Sequence, residues 1–213
     1  QLQSSAASDV YKRQPFIDDV LLVINKPSGL LSVPGKGENK KDCMLMRIQE
    51  EFPNTLLVHR LDMDTSGLMV FARSPEVQSR LSMQFEDRLI KKRYVALLEG
   101  TLFDDQGEVQ LPIRKDMTQS LPPRHIVDHQ QGKFAHTKWS VIDRKNNRTR
   151  VHLYPITGRS HQLRVHMYEI GRPIVGDPIY GEVDERLMLH AEHIAFKHPI
   201  DGRMIELESP APF

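Results

Sequence analysis

The sequence predicts an α+β fold: a mixed, largely antiparallel β-sheet core flanked by a few helices. Short runs of apolar and β-branched residues bounded by turn-forming residues recur along the chain and are typical of strands. Only three segments show the 3.6-residue period of an amphipathic helix. Because strands mostly follow one another rather than alternate with helices, the order favours antiparallel pairing over a doubly wound parallel sheet.

The predicted strands are placed by apolar runs and the turn signals that end them. The first, Val20 to Asn25, is apolar and β-branched and stops at the turn Lys26-Pro27-Ser28-Gly29. In chain order, the predicted elements are strand 20–25, helix 42–52, strands 56–58 and 68–72, helix 75–87, strands 92–99, 134–142 and 149–154, helix 160–170, and strands 188–196 and 204–207.

The three predicted helices are placed by their apolar periods and caps. Helix 42–52 has Asp42 as its candidate N-cap. Helix 75–87 repeats an apolar residue every four positions. Helix 160–170 has Ser160 as its predicted N-cap and Gly171 as its predicted C-cap.

The composition is that of an ordinary globular protein, with 39% hydrophobic and 27% charged residues among 213. It excludes a collagen and argues against a disordered chain. No apolar run approaches the roughly 20 residues of a membrane-spanning helix, so no membrane association is predicted. The single cysteine, Cys43, is typical of a reducing compartment, and we expect the protein in the cytoplasm.

Charge is unevenly distributed along the chain. The overall formal charge is +1. Residues 88–164 hold 15 basic and 7 acidic side chains, while residues 15–87 hold 8 and 11, and residues 165–213 hold 4 and 9. A basic middle of net +8 is the pattern expected of a nucleic-acid binder, although solvated surface charges would produce it equally well.

The first residues differ in character from the rest. Residues 4–14, SSAASDVYKRQ, resemble an in-frame translation of a sequencing adapter. We therefore expect residues 1–14 to be a disordered scar and residues 15–213 to form the folded domain.

The first polar segment that suggests chemistry is His59 to Gly67, a turn between two predicted strands. Asp62 and Asp64 are two positions apart, so an extended backbone would turn both carboxylates to one side. Such a pair could serve a glycosidase or bind a divalent cation, or one carboxylate could simply cap the turn.

The second polar segment is PITGRSHQLRVHM, residues 155–167, a Gly turn that opens a short helix. Arg159 and His161 lie where the helix N-terminus favours an anion, and Arg164 on the next turn could reach a buried carboxylate. The histidines lack the spacing of a zinc site, and no metal is predicted.

These segments carry a family resemblance. HRLDMDTSG (59–67) resembles the His-Arg-Leu-Asp-x-x-Thr-Ser-Gly signature of the RluA family of RNA pseudouridine synthases. The resemblance extends over residues 16–213 through NKPSGLLSVPG (25–35), KKRYVALLEG (91–100), PITGRSHQLRVHM (155–167), GRPIVGDPIYG (171–181) and LMLHAEHIAF (187–196). The finest match is to the branch that modifies both 23S ribosomal RNA and the anticodon stem-loop of tRNA.

The resemblance implies three catalytic residues and the fold of the pseudouridine synthase catalytic domain. Asp62 matches the catalytic aspartate, whereas Asp64 falls at a variable position. Tyr94 matches the tyrosine that stacks on the target base, and Arg164 matches the arginine paired with the catalytic carboxylate. No cofactor and no metal are implied.

The resemblance also implies residues that bind the substrate RNA. Arg60 matches a residue that enters the RNA stack where the uridine leaves it, and Leu189 and His190 match a motif that shapes the pocket. The full set predicted to contact substrate is His59, Arg60, Thr65, Lys92, Arg93, Arg159, His161, Leu189 and His190. RNA is the expected partner, no obligatory protein partner is expected, and a monomer is the family's common form.

Two other functions remain open from the residues alone. A hydrolytic N-glycosidase or nuclease would use Asp62 and Asp64 together. A non-catalytic RNA-binding protein would need only the basic surface, but it leaves the Asp62, Tyr94 and Arg164 set unexplained. Within the synthase reading, the residues do not decide whether Asp62 acts on the ribose or on uracil C6.

Overall fold

A computed structural model describes residues 15–35, 37, 40–118 and 122–213. The predicted disorder of residues 1–14 falls outside this part of the chain. The described strands are β1 (Phe16–Ile17), β2 (Leu21–Lys26), β3 (Leu56–Leu57), β4 (Ser66–Ala72), β5 (Lys91–Glu99), β6 (Gln106–Val109), β7 (Ile113–Lys115), β8 (His125–Val127), β9 (Thr137–Lys145), β10 (Arg148–Pro155), β11 (Leu189–Lys197) and β12 (Met204–Glu208). The described helices are α1 (Met44–Glu51), α2 (Pro75–Glu86) and α3 (Gln162–Glu169).

The chain divides into two compact units. Among the described residues, those up to Lys92 and those from Ala191 to Pro212 form unit 1, and those from Arg93 to His190 form unit 2 with Phe213.

Unit 1 contains a sheet whose strand order is β1-β2-β4-β11, with β3 paired to β4 and β12 paired to β11. Strands β2 and β4 are antiparallel, and their register places Lys26 opposite Gly67. All seven residues of β4 are buried, because sheet neighbours and helix α2 enclose the strand. Consequently the end of β2 and the start of β4, which carry two of the sequence blocks, lie side by side.

Helix α2 begins as its sequence predicts. The Ser74 hydroxyl caps it by accepting a hydrogen bond from the Val77 N–H, and Pro75 occupies the first turn. Val77 and Leu81, four positions apart, are buried in the core of unit 1. This burial confirms the periodicity on which the prediction rested.

Unit 2 contains an antiparallel sheet of order β5-β10-β9-β6 and a separate hairpin formed by β7 and β8. Asn146 and Asn147 connect β9 to β10 with φ near +54° and +55°, the left-handed conformation that a tight two-residue hairpin turn requires. The core of this unit packs the apolar face of α3, with Leu163 and Met167, against residues of β5 and β10.

The α+β class with a largely antiparallel sheet is confirmed, with corrections at several element ends. Cys43, not Asp42, precedes α1, and Asp42 instead forms a two-point ion pair with Arg47. His161, not Ser160, is the N-cap of α3. Its backbone is left-handed, with φ of +54°, and its side chain makes no capping hydrogen bond. Strand β9 starts at Thr137 rather than at residue 134. Four strands were missed: β1, β6, β7 and β8.

Candidate active site

In unit 1, the loop that carries Asp62 is held by buried polar groups of residues 26–32. The Ser32 hydroxyl donates to the Leu61 carbonyl at 2.6 Å and accepts from the Leu61 N–H at 3.2 Å. On the other side of Asp62, the Met63 carbonyl accepts from the Lys26 ammonium at 2.8 Å and from the Gly29 N–H at 3.0 Å. Both neighbours of Asp62 are therefore fixed through their backbones.

The loop turns sharply at Asp62 and is fixed again after it. The Asp62 carbonyl accepts from the Thr65 N–H at 3.2 Å, and the Ser28 hydroxyl donates to the Asp64 carbonyl at 2.7 Å. Thr65 is buried, whereas the Asp62 and Asp64 side chains are half-buried. The backbone contacts thus fix the main chain at Asp62, and its half-buried side chain is within reach of solvent.

His59 and Arg60 precede this turn and differ in environment. The Arg60 side chain is exposed. The His59 ring lies 4.6 Å from the Phe85 ring, and its Nε2 accepts a hydrogen bond from the Val70 N–H at 3.0 Å. Burial, with a smaller contribution from the charge of Lys92, lowers the pKa of His59 from 6.5 to about 3. The ring is therefore neutral and helps to tie the loop to β4.

Strand β5 carries the three predicted residues Lys92, Arg93 and Tyr94, all half-buried. The Lys92 ammonium lies 5.7 Å from the centre of the Phe85 ring, and burial lowers its pKa. Tyr94 pairs with Leu153 of β10 and packs against the core of unit 2. Its position on a paired strand fixes the backbone from which its side chain projects.

Arg164 on α3 is 2% exposed and forms an ion pair with Asp177, which is fully buried. The Nε and Nη2 atoms of Arg164 donate to the two carboxylate oxygens of Asp177, each at 2.7 Å. The guanidinium carbon also lies 5.3 Å from the centre of the Tyr180 ring. The expectation that Arg164 reaches a buried carboxylate is met within unit 2 by a residue that was not predicted.

Comparison with known proteins places this arrangement in a family. Residues 20–169 match the family model described as RNA pseudouridylate synthase. The chain belongs to this family. Its predicted activity, isomerisation of uridine to pseudouridine in RNA, is confirmed at the level of the family. Asp62, Tyr94 and Arg164 all lie within the matched residues.

Related synthases from bacteria match along nearly the whole chain. The dual-specificity RNA pseudouridine synthase RluA of Pasteurella multocida is 45% identical over 212 residues, which cover 97% of this chain and 96% of that protein. The protein of the same name from Escherichia coli K12 is 44% identical over 204 residues, covering 93% and 92%. These matches confirm the resemblance drawn from the sequence blocks.

Solved structures of pseudouridylate synthases share the fold. Human RNA pseudouridylate synthase domain containing 1 superposes with a TM-score of 0.79 at 28% identity and covers 94% of this chain and 83% of its own. Human RNA pseudouridylate synthase domain containing 4 gives a TM-score of 0.78 at 24% identity, which supports the fold alone. The predicted pseudouridine synthase fold is confirmed.

The remaining predicted RNA contacts of this synthase lie in two environments. Arg159 is exposed, and its Nε donates to the Phe134 carbonyl at 3.1 Å, while the His161 Nδ1 lies 2.9 Å from the Tyr180 hydroxyl. Leu189 and His190 are buried at 3% and 1% exposure. The first two lie at the start of α3, and the last two are part of the interior.

Two further findings apply to the part of the chain that the structure describes. Among those residues there is no cluster of three or more His, Cys, Asp or Glu side chains that could hold a metal ion. None of the described helices is both long and apolar enough to cross a membrane.

Sequence reasoning missed Asp177 and the supporting set of Lys26, Ser28 and Ser32. Each belongs to a block that resembled the family, NKPSGLLSVPG or GRPIVGDPIYG. For Lys26 and Asp177, the available signal was a charged residue inside an otherwise apolar, Gly- and Pro-rich block, because a buried charge needs a partner.

Proposed function

We propose that this synthase converts uridines to pseudouridine in both 23S ribosomal RNA and the anticodon stem-loop of tRNA. The relatives that match over more than nine-tenths of this chain carry the name dual-specificity RNA pseudouridine synthase, which supports two substrate classes. The sequence resemblance identifies those classes as ribosomal and transfer RNA. The enzyme works in the cytoplasm as a monomer, with no obligatory protein partner.

The observation that supports the catalytic assignment is that the backbone is held by hydrogen bonds on both sides of Asp62. Hydrogen bonds to Leu61 and Met63 hold the backbone at Asp62 in place before substrate arrives. A group that is positioned in advance needs no reorganisation at the moment of reaction. This support, together with the match of Asp62 to the family signature, favours Asp62 as the catalytic carboxylate.

The reaction requires an ionised carboxylate and a uracil that is kept in a fixed orientation. The N1–C1′ bond breaks, the uracil rotates, C5 bonds to C1′, and the C5 proton leaves for solvent while N1 gains one, so no atom is added or lost overall. Asp62 acts either on the ribose or on uracil C6. Tyr94 stacks on the uracil, and Arg164 stabilises the charge of the Asp62 carboxylate.

The target uridine must first leave its stack, at a cost of a few kcal/mol that is lowest for a base in a loop. The exposed Arg60 enters the stack in place of the extruded base. Lys92, Arg93, Arg159 and His161 bind phosphates around it. The half-buried His59 and the buried Thr65, Leu189 and His190 act by shaping the pocket.

The test uses ribosomal and tRNA stem-loops labelled with tritium at uridine C5, with EDTA present. We expect tritium release from both intact RNAs, a loss of at least about 1000-fold in Asp62→Asn, and near-normal release in the matched control Asp64→Asn. Loss in both variants together with free uracil would instead indicate a hydrolase that uses paired carboxylates. Release from only one of the two stem-loops would contradict the dual specificity.

A further inference from the structure

The buried carboxylate of Asp177 is saturated with hydrogen bonds. Besides the two donors of Arg164, it accepts from the backbone N–H groups of Ile179 at 2.9 Å and Tyr180 at 3.1 Å, both on Oδ1. The contacts to Ile179 and Tyr180 form a local turn, whereas the contact to Arg164 joins elements thirteen positions apart. Asp177 therefore fixes one edge of the Arg164 guanidinium to a rigid turn.

The turn that carries Asp177 is itself attached to strand β5. The Val175 N–H donates to the Leu97 carbonyl at 2.9 Å, and the Glu99 N–H donates to the Pro173 carbonyl at 2.9 Å. Gly176 has φ of +73°, and a Cβ there would lie 1.9 Å from the Arg186 carbonyl oxygen, so only glycine fits. Strand β5, which carries Tyr94, thus sets the position of Asp177.

The face of the guanidinium is constrained as well. The Tyr180 ring lies against it, and the Tyr180 hydroxyl accepts from the His125 N–H at 2.8 Å and contacts His161 Nδ1 at 2.9 Å. With Nε and Nη2 bound to Asp177 and one face against Tyr180, the guanidinium turns its Nη1 side away from Asp177.

We propose that Asp177 is the positioning residue of Arg164, orienting the guanidinium so that its Nη1 side meets the reacting groups. This inference rests on the proposed function, in which Arg164 is catalytic. Asp177 also supplies the counter-charge that allows an arginine to be buried, since an uncompensated buried charge is strongly unfavourable. It does not touch the substrate.

The substitution Asp177→Asn distinguishes the positioning of Arg164 from a purely structural role in the turn. Asparagine retains an oxygen that can accept from Ile179 and Tyr180, so the turn survives in Asp177→Asn, and only the charged fork to Arg164 is lost. Asp18 offers a matched control, because its Oδ1 accepts from two backbone N–H groups, Val20 and Leu21, and its Oδ2 bonds to His198. It belongs to no part of the proposed catalytic or RNA-binding machinery.

The experiment compares Asp177→Asn, Arg164→Met, the double variant and Asp18→Asn. Single-turnover tritium release at saturating enzyme and the Kd for the stem-loop RNA are measured below each melting temperature. We expect Asp177→Asn to slow the reaction about 100-fold with a Kd within about 3-fold of wild type, and the double variant to be no slower than Arg164→Met. Asp18→Asn should react at the wild-type rate.

Three results would overturn the proposal in distinguishable ways. Wild-type rates in Asp177→Asn beside a slow Arg164→Met would refute the positioning role alone. Rate losses that multiply in the double variant would show that Asp177 acts independently of Arg164. A wild-type rate in Arg164→Met would refute both the catalytic assignment of Arg164 and the positioning role.

A second variant covers the case in which Asp177→Asn does not fold. Arg164→Lys keeps a positive charge beside Asp177 but lacks the planar fork that Asp177 orients. We expect it to remain folded and to react at least about 10-fold more slowly, with unchanged Kd. A rate within about 3-fold of wild type would show that charge alone suffices and would overturn the proposal.

Discussion

The replacement of Lys26 by methionine tests how the loop that carries Asp62 is supported. Lys26 is fully buried, and its ammonium donates to the carbonyls of Pro27 at 2.8 Å, Leu30 at 2.6 Å and Met63 at 2.8 Å. Methionine has nearly the same length and volume but no donor. Lys26→Met therefore removes the three hydrogen bonds while it keeps the packing.

The size of the effect follows from what each carbonyl loses. A hydrogen bond from a charged donor contributes about 1.5–3 kcal/mol. The Met63 carbonyl keeps the Gly29 N–H as a donor, so the main losses fall on Pro27 and Leu30. Removal of the buried charge offsets part of the cost. The expected net loss in the free energy of unfolding is about 3 kcal/mol.

Urea denaturation followed by circular dichroism measures this loss. With an m-value of about 2 kcal/mol/M, the midpoint should fall by about 1.5 M. The exposed Lys197 supplies the control, because Lys197→Met should shift unfolding by less than about 0.5 kcal/mol. Equal midpoints for Lys26→Met and wild type would refute the view that Lys26 holds the loop.

Two further predictions concern the same unit. Because the pKa of His59 is about 3 in the fold, against 6.5 in the unfolded chain, the unfolded state takes up the proton first as the pH falls. The free energy of unfolding therefore falls below pH 6.5, by at most about 1.4 kcal/mol per pH unit. In His59→Gln, the urea midpoint should depend less on pH between pH 6.5 and 4.5 than it does in wild type. The same pH dependence in both proteins would contradict the burial of a neutral ring. In Gly67→Ala, the new Cβ would lie 2.3 Å from the Ala191 carbonyl oxygen, at a backbone φ of +117°. We expect the free energy of unfolding to fall by at least about 2 kcal/mol. A melting temperature within about 1–2 °C of wild type, on the order of measurement error, would count against that close approach.

The elements that could be predicted from the sequence are those with a strong local signal. Strand β2 was found because its apolar run ends at recognisable turn residues, and helix α2 was found because an apolar residue recurs every four positions. Strands β7 and β8 were missed because each has three residues and little apolar alternation, and only their pairing with each other makes them strands.

Caps were harder to predict than helices, because one polar side chain has several uses. Asp42 is a suitable N-cap by type, yet Arg47 one turn later offers it a two-point ion pair. Ser160 was a reasonable N-cap by the same rule, but the left-handed backbone at His161 starts α3 one residue later. Local propensity therefore indicates several candidate N-cap residues, and tertiary contacts determine which one is used.

The candidate site shows the same division between local and distant information. Asp62, Tyr94 and Arg164 were found through contiguous blocks, which are local patterns. The partner of Arg164 was not found, because no spacing rule links it to a carboxylate thirteen positions later in another segment. Likewise, nothing in NKPSGLLSVPG indicates that its lysine donates to the carbonyl of Met63.

The two supports also determine how mutations at the site should be interpreted. Asp62 lies between two residues whose backbones are held by hydrogen bonds, and Asp62→Asn leaves these backbone hydrogen bonds in place. Arg164 is held through its own side chain, so its removal leaves the buried Asp177 without its counter-charge. A loss of activity in an Arg164 variant therefore combines a chemical and a structural effect, and only the double variant with Asp177→Asn, in which both buried charges are gone, separates the two.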